Sequence, residues 1–244
     1  MKQSMDQATA SRLRQCGWLD FDTLWALDLP VVDEPNTDRG GWSSVSRLTV
    51  DGQPYFLKRQ RDHLTRSLRA PFGEPTFARE WRNINRFQRC GIPALRAGYF
   101  AQRGRQAMLL TYALSDWQDL AHWQQRWPQL PEPVRSGVLA ACGRLLQQLH
   151  QQGLVHGCCY PKHIFLRAQG DGLEACFIDL ENARRALWGD HDRLRDLEPL
   201  LRRSAPAWGE GEAAQLLESY TPDPVTQLTW LQRIAGRSRR KAQR

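Results

Sequence analysis

Three features in the first half of this sequence have the residue types that bind phosphates. The adjacent glycines Gly40 and Gly41 precede a strand-like segment, and backbone N–H groups can approach a phosphate closely where no side chain intervenes. Lys58 ends the apolar segment 55–58, from which its ammonium can reach a nucleotide phosphate. Glu80 follows 22 residues later on a predicted helix, where its carboxylate can hold the lysine by ion pairing. Each feature alone is more often a turn or a solvated charge.

A second group lies between residues 149 and 181. A helical segment ending near residue 152 is followed by an irregular stretch, a short strand, a turn at Asp171-Gly172 and a second strand that ends in Asp179. His163 and Asp179, 16 residues apart, are candidate magnesium ligands beside a loop that could receive a substrate hydroxyl. The order and spacing of all these elements together indicate an ATP-dependent phosphoryl-transfer scaffold.

The elements that must position these residues follow from periodicity and from turn residues. The patterns predict a short helix within 11–30, strands within 42–58, a basic loop over 59–69, a helix over 76–90, a hairpin of 95–100 with 108–112, a helix over 134–152, short strands at 164–166 and 176–178, and helices over most of 192–236. A strand-rich block is thus followed by a helical block, which predicts a two-lobed α+β layout. We expect an N-terminal extension at 1–35, an N-lobe at 36–112, a C-lobe at 113–236 and a basic tail at 237–244.

Taken together, these motifs are similar to those of the protein-kinase-like superfamily. Within it the chain resembles the bacterial lipopolysaccharide core heptose kinases, the Kdo/WaaP group and its InaA-type branch. The resemblance covers roughly residues 36–205, and the matching stretches are Gly40–Val45, Tyr55–Gln60, Pro75–Ile84, Gly91–Pro93, His156–Leu166 and Ile178–Arg184. It implies a bilobal protein-kinase-like fold with a small strand-rich N-lobe and a mainly helical C-lobe.

The resemblance also implies roles for single residues, with ATP and Mg²⁺ as cofactors. Lys58 would contact the α- and β-phosphates and pair with Glu80. Asp179 would hold Mg²⁺, and His163 lies at the position of the catalytic-loop asparagine, a second metal-binding position. Asp192 and the segment 195–197 lie where such kinases keep a helix that braces the catalytic loop.

The nucleotide itself would lie between two further segments. The stretch that begins at Arg39, with Gly40, Gly41 and Ser43, corresponds to the phosphate-binding loop. The segment 110–114 corresponds to the interlobe hinge, whose backbone would hydrogen-bond adenine; the hinge residues are Thr111, Tyr112 and Ala113.

One departure from the kinase pattern concerns the catalytic loop. Kinases have His-Arg-Asp, with the aspartate as base, whereas this chain has His156-Gly157-Cys158. In one account the chain remains active, because positioning and charge stabilisation dominate phosphoryl transfer and a thiolate favoured by a neighbouring cation could accept the proton. In the other account the chain is a nucleotide-binding pseudokinase with a regulatory or scaffolding role in core assembly. Every other phosphate-handling position is kept, which favours an active enzyme with Cys158 among its catalytic residues.

The charge distribution indicates an anionic partner. The net charge of the 244-residue chain is +8, and residues 36–112 alone carry 14 basic and five acidic side chains. Arginines cluster in the predicted loop and along the predicted helix: Arg59, Arg61, Arg66, Arg69, Arg79, Arg82, Arg86 and Arg89. We expect these surfaces to meet the phosphates of a lipopolysaccharide core or lipid A–core glycolipid, or an anionic inner-membrane surface. The alternative is an ordinary solvated arginine face.

Other classes are less compatible with the sequence. No helix-turn-helix, RNP or zinc-finger pattern accompanies the arginines, so nucleic acid is not the expected partner. A soluble kinase of the aminoglycoside phosphotransferase type is disfavoured by the segments around Trp42 and Lys58. The N-terminus lacks the apolar core of a signal peptide, and no apolar run is long enough to cross a bilayer. We therefore expect a protein with reduced cysteines in the cytoplasm, at the inner face of the inner membrane.

Overall fold

The computed structural model describes residues 1–32, 34–37, 40–67, 70–170 and 172–242. Within it the chain forms two compact units: Met1–Arg86 with Leu95–Ser115, and Phe87–Ala94 with Asp116–Arg244. Four predicted features involve residues outside the described ranges: Arg39, Arg69, the first residue of the Asp171-Gly172 turn, and Arg244 of the basic tail.

The first unit contains a five-stranded antiparallel sheet in the order β1-β6-β7-β3-β2. Its strands are β1 (Lys2–Met5), β2 (Trp42–Val50), β3 (Gln53–Arg61), β6 (Ala97–Arg103) and β7 (Gln106–Tyr112). A tight turn at Asp51-Gly52 joins β2 to β3, and both of its residues have positive φ, 49° and 71°. Both hairpins of the sheet are therefore where the sequence predicts them.

Two short helices cover one face of this sheet, where the sequence predicts only one. They are α1 (Gln7–Gln15) and α2 (Phe21–Ala26), and they begin at the capping side chains of Asp6 and Asp20. Gly17, with φ of 71°, ends the first helix, because a left-handed residue cannot continue it. Apolar side chains of α1, α2 and the sheet form one buried core: Leu13, Phe21, Leu24, Leu48, Val50, Tyr55, Leu57, Tyr99, Ala101, Met108 and Leu110.

The prediction of a basic loop over residues 59–69 is wrong. Arg59 and Arg61 are still in β3, and a separate hairpin follows, made of β4 (Leu64–Ser67) and β5 (Ala70–Pro75). Pairing of β3 with β2 and β7 outweighs the polarity of the arginines, since both neighbouring strands continue to this point. Arg59 is not a free surface charge: it donates to the carbonyls of Trp25 and Leu27, at 2.8 and 2.7 Å.

Helix α3 (Thr76–Arg89) follows this hairpin and packs on the other face of the five-stranded sheet, where Trp81 stacks on Phe100 with ring centroids 4.8 Å apart. Because successive strand residues point to opposite faces, Leu57 enters the core beneath α1 and α2, whereas Lys58 faces α3. Helix α3 matches the predicted helix to within one residue at its end.

The second unit is mainly helical. Its helices are α4 (Leu120–Gln125), α5 (Glu132–Gln151), α6 (Asp190–Ser204), α7 (Glu210–Tyr220) and α8 (Pro224–Ala242). The strands β8 (Gln118–Asp119), β10 (Ile164–Gln169) and β11 (Gly172–Phe177) form a three-stranded sheet. A second pair consists of β9 (Leu154–Val155) and β12 (Arg184–Arg185). Helices α6, α7 and α8 are separate, and Pro224 is the first residue of α8.

Candidate active site

Lys58 and Glu80 form an ion pair in the first unit. The Nζ atom of Lys58 lies 2.6 Å from Oε1 of Glu80, and the two side chains are 16% and 1% exposed. Strand β3 directs the lysine toward α3, and the first turns of that helix place the glutamate opposite it. A carboxylate buried this deeply needs a partner, so the pair holds the ammonium in one position.

The predicted phosphate-loop residues have structural roles within the first unit. A Cβ on Gly41 would lie 2.3 Å from the backbone nitrogen of His63, so this glycine is required for the close approach of the 62–63 backbone. Ser43 exchanges backbone hydrogen bonds with Asn36, 2.9 Å in both directions. Gly40 has φ of 69°, and, apart from its chain neighbours, no atom of the described residues lies within 4 Å of the place a Cβ would take there. The close approach of the 62–63 backbone therefore explains why position 41 is glycine. At Gly40 a side chain would meet no such obstacle in the described part of the chain, and its positive φ is the feature that favours glycine.

The predicted hinge residues belong to the end of β7 and the segment after it. Thr111 is buried and pairs with Phe56 on β3. The N–H groups of Tyr112 and Ala113 donate to the carbonyls of Arg96 and Pro54, at 2.9 and 3.0 Å. These two N–H groups are therefore already used within the first unit.

Asp196 braces the loop that begins at His156, as the sequence predicts. Its carboxylate is fully buried on α6 and accepts the backbone N–H groups of His156 and Gly157, at 2.6 and 2.8 Å. His150 lies 3.3 Å from the same carboxylate through Nε2, and its Nδ1 lies 2.8 Å from the Tyr220 hydroxyl. The hydrogen bonds to His150 and Tyr220 were not predicted, because both residues belong to helices that the sequence indicates only as amphipathic.

His163 and Asp179 converge in the second unit. His163 Nδ1 lies 2.8 Å from the carbonyl oxygen of Cys158; since a carbonyl only accepts, Nδ1 carries the proton. Burial lowers the pKa of His163 more than the neighbouring Asp179 raises it, which favours the neutral ring. The lone pair on Nε2 then lies 3.2 Å from Oδ2 of Asp179.

These two acceptor atoms suit a divalent cation, because two lone-pair atoms this close repel one another unless a positive charge lies between them. Asp179 also has backbone angles of 58° and 60°, a left-handed conformation that is unusual for an aspartate and common at functional sites. In the described part of the chain no group of three or more His, Cys, Asp or Glu side chains could hold a metal. Further ligands would therefore be water or substrate phosphate oxygens, as is usual for Mg²⁺.

Cys158 does not have the environment of an activated thiol. Burial raises its pKa, and the carboxylates of Asp179 and Glu181 raise it further. The backbone N–H of Cys158 points toward Nδ1 of His156 at 3.4 Å, while Nε2 of that ring lies 2.9 Å from the carbonyl of Ile178. The ring is therefore neutral in this arrangement and provides no charge to favour a thiolate. The thiol stays protonated near neutral pH.

Asn182 and Glu181 also belong to this region, although no role was predicted for either residue. The Nδ2 atom of Asn182 donates to Cys158 Sγ at 3.3 Å and to Oε1 of Glu181 at 3.2 Å. Their nearness along the chain to Asp179 is the only sequence signal that could have indicated them.

The predicted site residues thus fall into two sets. Lys58, Glu80, the glycines and the hinge segment belong to the first unit, and the residues of the catalytic loop and of the segment around Asp179 belong to the second. Each set contains charged groups held in a fixed geometry by buried partners.

The fold belongs to the protein-kinase-like class. Over 98% of its length the chain matches 99% of a solved chain described as WaaP in complex with acyl carrier protein, with a TM-score of 0.73 and 23% sequence identity. The strand-rich sheet and the helical C-terminal part agree with this class, so the predicted fold is confirmed.

The sequence comparisons identify the family within this class. Residues 22–220 match the lipopolysaccharide kinase (Kdo/WaaP) family, and the chain belongs to that family. It is 34% identical to Protein InaA of Escherichia coli over 192 residues. This alignment covers 75% of this chain and 88% of that protein. It is 27% identical to the lipopolysaccharide core heptose(I) kinase WaaP of Pseudomonas aeruginosa over 154 residues. This alignment covers 57% of this chain and 58% of that protein. The predicted resemblance is confirmed.

Proposed function

We propose that this chain is an ATP-dependent kinase that transfers the γ-phosphate of ATP to a sugar hydroxyl of the lipopolysaccharide inner core, a heptose. The observation that carries the proposal is the Lys58–Glu80 ion pair, 2.6 Å long with a buried glutamate, in a chain of the Kdo/WaaP family. A buried carboxylate is costly unless it is paired, and its ion pair with Lys58 fixes the position of the ammonium. The acceptor is inferred from the named activity of the Pseudomonas relative.

Each charged group has a part in this proposal. Lys58 binds the nucleotide phosphates with an ammonium that Glu80 keeps in place. Asp179 and His163 would hold Mg²⁺, and the ion would neutralise charge that develops on the transferred phosphoryl group. Asp196 keeps the catalytic loop rigid through two backbone N–H groups. Adenine would contact the segment 110–114 through backbone groups other than the N–H groups of Tyr112 and Ala113.

The Cys158 thiol is not the base in this mechanism, since its raised pKa keeps it protonated. Loss of a general base costs about 10²–10⁴ in rate, whereas phosphoryl transfer depends mainly on positioning and charge stabilisation. The activity therefore does not require an ionised thiol. The pseudokinase alternative makes the opposite prediction, namely nucleotide binding without transfer.

The test incubates the full-length protein with labelled ATP, Mg²⁺ and under-phosphorylated core lipopolysaccharide. We expect label on the glycolipid, and a loss of about 10²–10³-fold or more with Lys58→Ala or Asp179→Asn. Lys2→Ala and Asp51→Asn are matched controls: Lys2 is an exposed lysine of the same sheet, and Asp51 is an exposed aspartate with φ of 49°. Absence of transfer, with ATP still raising the melting temperature, would favour the pseudokinase.

A further inference from the structure

Gly157 allows two segments of the second unit to approach one another unusually closely. It has φ of 82°, and a Cβ there would lie 2.6 Å from the carbonyl oxygen of Asn182 and 3.2 Å from its Cβ. Any residue with a side chain would push the 181–182 segment away from the catalytic loop. The absence of a side chain at position 157 therefore brings Asn182 directly against Cys158.

Asn182 links the thiol to a carboxylate. Its Nδ2 atom donates both to Cys158 Sγ, at 3.3 Å, and to Oε1 of Glu181, at 3.2 Å. One amide thus holds the glutamate carboxylate beside the position at which kinases of this class have their catalytic-loop carboxylate. Glu181 is half-buried, so its carboxylate is reachable from solvent.

We propose that Glu181 supplies the carboxylate that position 158 lacks and that it orients the acceptor hydroxyl by accepting its hydrogen bond. This inference rests on the proposed function. Among the neighbouring groups, Asp179 faces His163 across 3.2 Å, the Cys158 thiol is a weak acceptor, and the Lys162 ammonium has no acceptor atom. Glu181 is the neighbouring carboxylate that is held in place without facing His163.

The reaction that Glu181 would assist is an ordinary phosphoryl transfer. The acceptor hydroxyl oxygen forms a bond to the γ-phosphorus of ATP, and the bond from that phosphorus to the β,γ-bridging oxygen breaks. ADP leaves with the electron pair of the broken bond. The hydroxyl proton, held by Glu181 during the transfer, ends on solvent water.

The test measures single-turnover transfer of labelled phosphate to core lipopolysaccharide by Glu181→Gln and by the double variant Glu181→Gln with Cys158→Asp. We expect Glu181→Gln to slow transfer about 100-fold or more, with the ATP-induced rise in melting temperature unchanged. The aspartate introduced at position 158 meets the same Asn182 amide, so the double variant regains at least tenfold of the lost rate. Glu218→Gln, an exposed glutamate on α7, is the control and keeps the original rate.

The possible outcomes separate this inference from the proposed function. Unchanged transfer by Glu181→Gln overturns the inference and leaves the kinase activity standing. Absence of rescue in the double variant shows that Glu181 acts in some other way and also overturns it. An inactive parent protein that becomes active with Cys158→Asp alone shows that Glu181 does not replace the missing carboxylate. If neither the parent nor that variant transfers phosphate, the proposed function fails and the inference fails with it.

Discussion

At the scale of single residues, the Lys58–Glu80 pair illustrates which contacts a sequence can predict. A lysine that follows an apolar segment and a glutamate in the first turns of the next helix have types and spacing that indicate their contact. Nζ of the lysine and Oε1 of the glutamate lie 2.6 Å apart. The link from Cys158 through Asn182 to Glu181 could not be predicted in this way. It depends on the backbone approach at Gly157, which only the folded chain shows.

The first prediction concerns Glu80→Gln. The amide keeps the shape of the side chain but removes the charge that fixes Lys58, so we expect the transfer rate to fall about 100-fold through misplacement of the ammonium. The measurement is the rate of phosphate transfer at saturating ATP. Glu74→Gln is a matched control, because it removes the ion pair between Glu74 and Arg82 in the same unit. Equal losses of transfer in both variants would contradict a specific role for Glu80.

At the scale of elements, α6 places three buried carboxylates, those of Asp192, Asp196 and Glu198. Asp196 holds the catalytic loop, and Glu198 accepts hydrogen bonds from Arg202 and from Lys241 of α8, both at 2.7 Å. The sequence indicates the helix from its pattern, and family resemblance indicates the role of the aspartate. The link to α8 was not predicted, since residues 237–244 were expected to form a basic tail.

The second prediction concerns Asp196→Ala. The variant leaves the buried N–H groups of His156 and Gly157 without their acceptor, and hydrogen bonds to a charged group contribute about 1.5–3 kcal/mol each. We expect the free energy of unfolding to fall by about 3 kcal/mol or more, as measured by urea denaturation. The exposed neighbour Arg195→Ala is the control, with a change within about 0.5 kcal/mol. A small change for Asp196→Ala would show that the brace is not needed for stability.

The third prediction concerns Glu198→Gln and pH. Burial raises the pKa of Glu198, but hydrogen bonds from Lys241 and Arg202 outweigh it, and the pKa lies below its ordinary value of 4.5. A carboxyl group with a lowered pKa stabilises the fold above pH about 4.5, and this contribution is lost as the pH falls through its folded value. The stability difference between parent and variant should stay constant from neutral pH down to about 4.5 and then narrow. A stability difference between parent and Glu198→Gln that stays constant until the protein unfolds in acid would contradict a stabilising role for the ionised Glu198 carboxylate.

The errors in predicted elements have physical causes. The arginines of β3 suggested a loop, but the backbone pairing of three adjacent strands does not depend on side-chain polarity. The N-terminal segment was predicted as one helix, and the left-handed Gly17 divides it into two. The longer elements α3 and α5 were predicted closely because their apolar periodicity extends over several turns.

At the scale of the whole molecule, the positive charge is only partly free for a partner. Arg82 forms two hydrogen bonds with Glu74, and Arg59 is bound to backbone carbonyls, with burial lowering its pKa. Arg61 and Arg66 remain exposed in the same unit, and Phe72 on β5 is 94% exposed. None of the helices in the described part of the chain has the length and apolar character that crossing a bilayer requires.

The fourth prediction concerns binding to anionic vesicles. If the exposed arginines meet lipid phosphates, the protein should float with phosphatidylglycerol-containing vesicles at low salt and largely detach at high salt, since each basic group contributes about 1 kcal/mol and salt screens it. Arg66→Glu should weaken flotation, whereas Arg195→Glu in the other unit should change it less. Absence of association at either salt concentration would contradict a membrane-facing role.

The proposed kinase function requires that the protein transfers phosphate to the core sugar. The most direct measurement is mass spectrometry of core oligosaccharide released after incubation of under-phosphorylated lipopolysaccharide with ATP, Mg²⁺ and either the parent protein or Asp179→Asn. We predict the gain of one phosphoryl group, located on a heptose, with the parent only. An unmodified core in the presence of parent protein that binds ATP would contradict the kinase assignment.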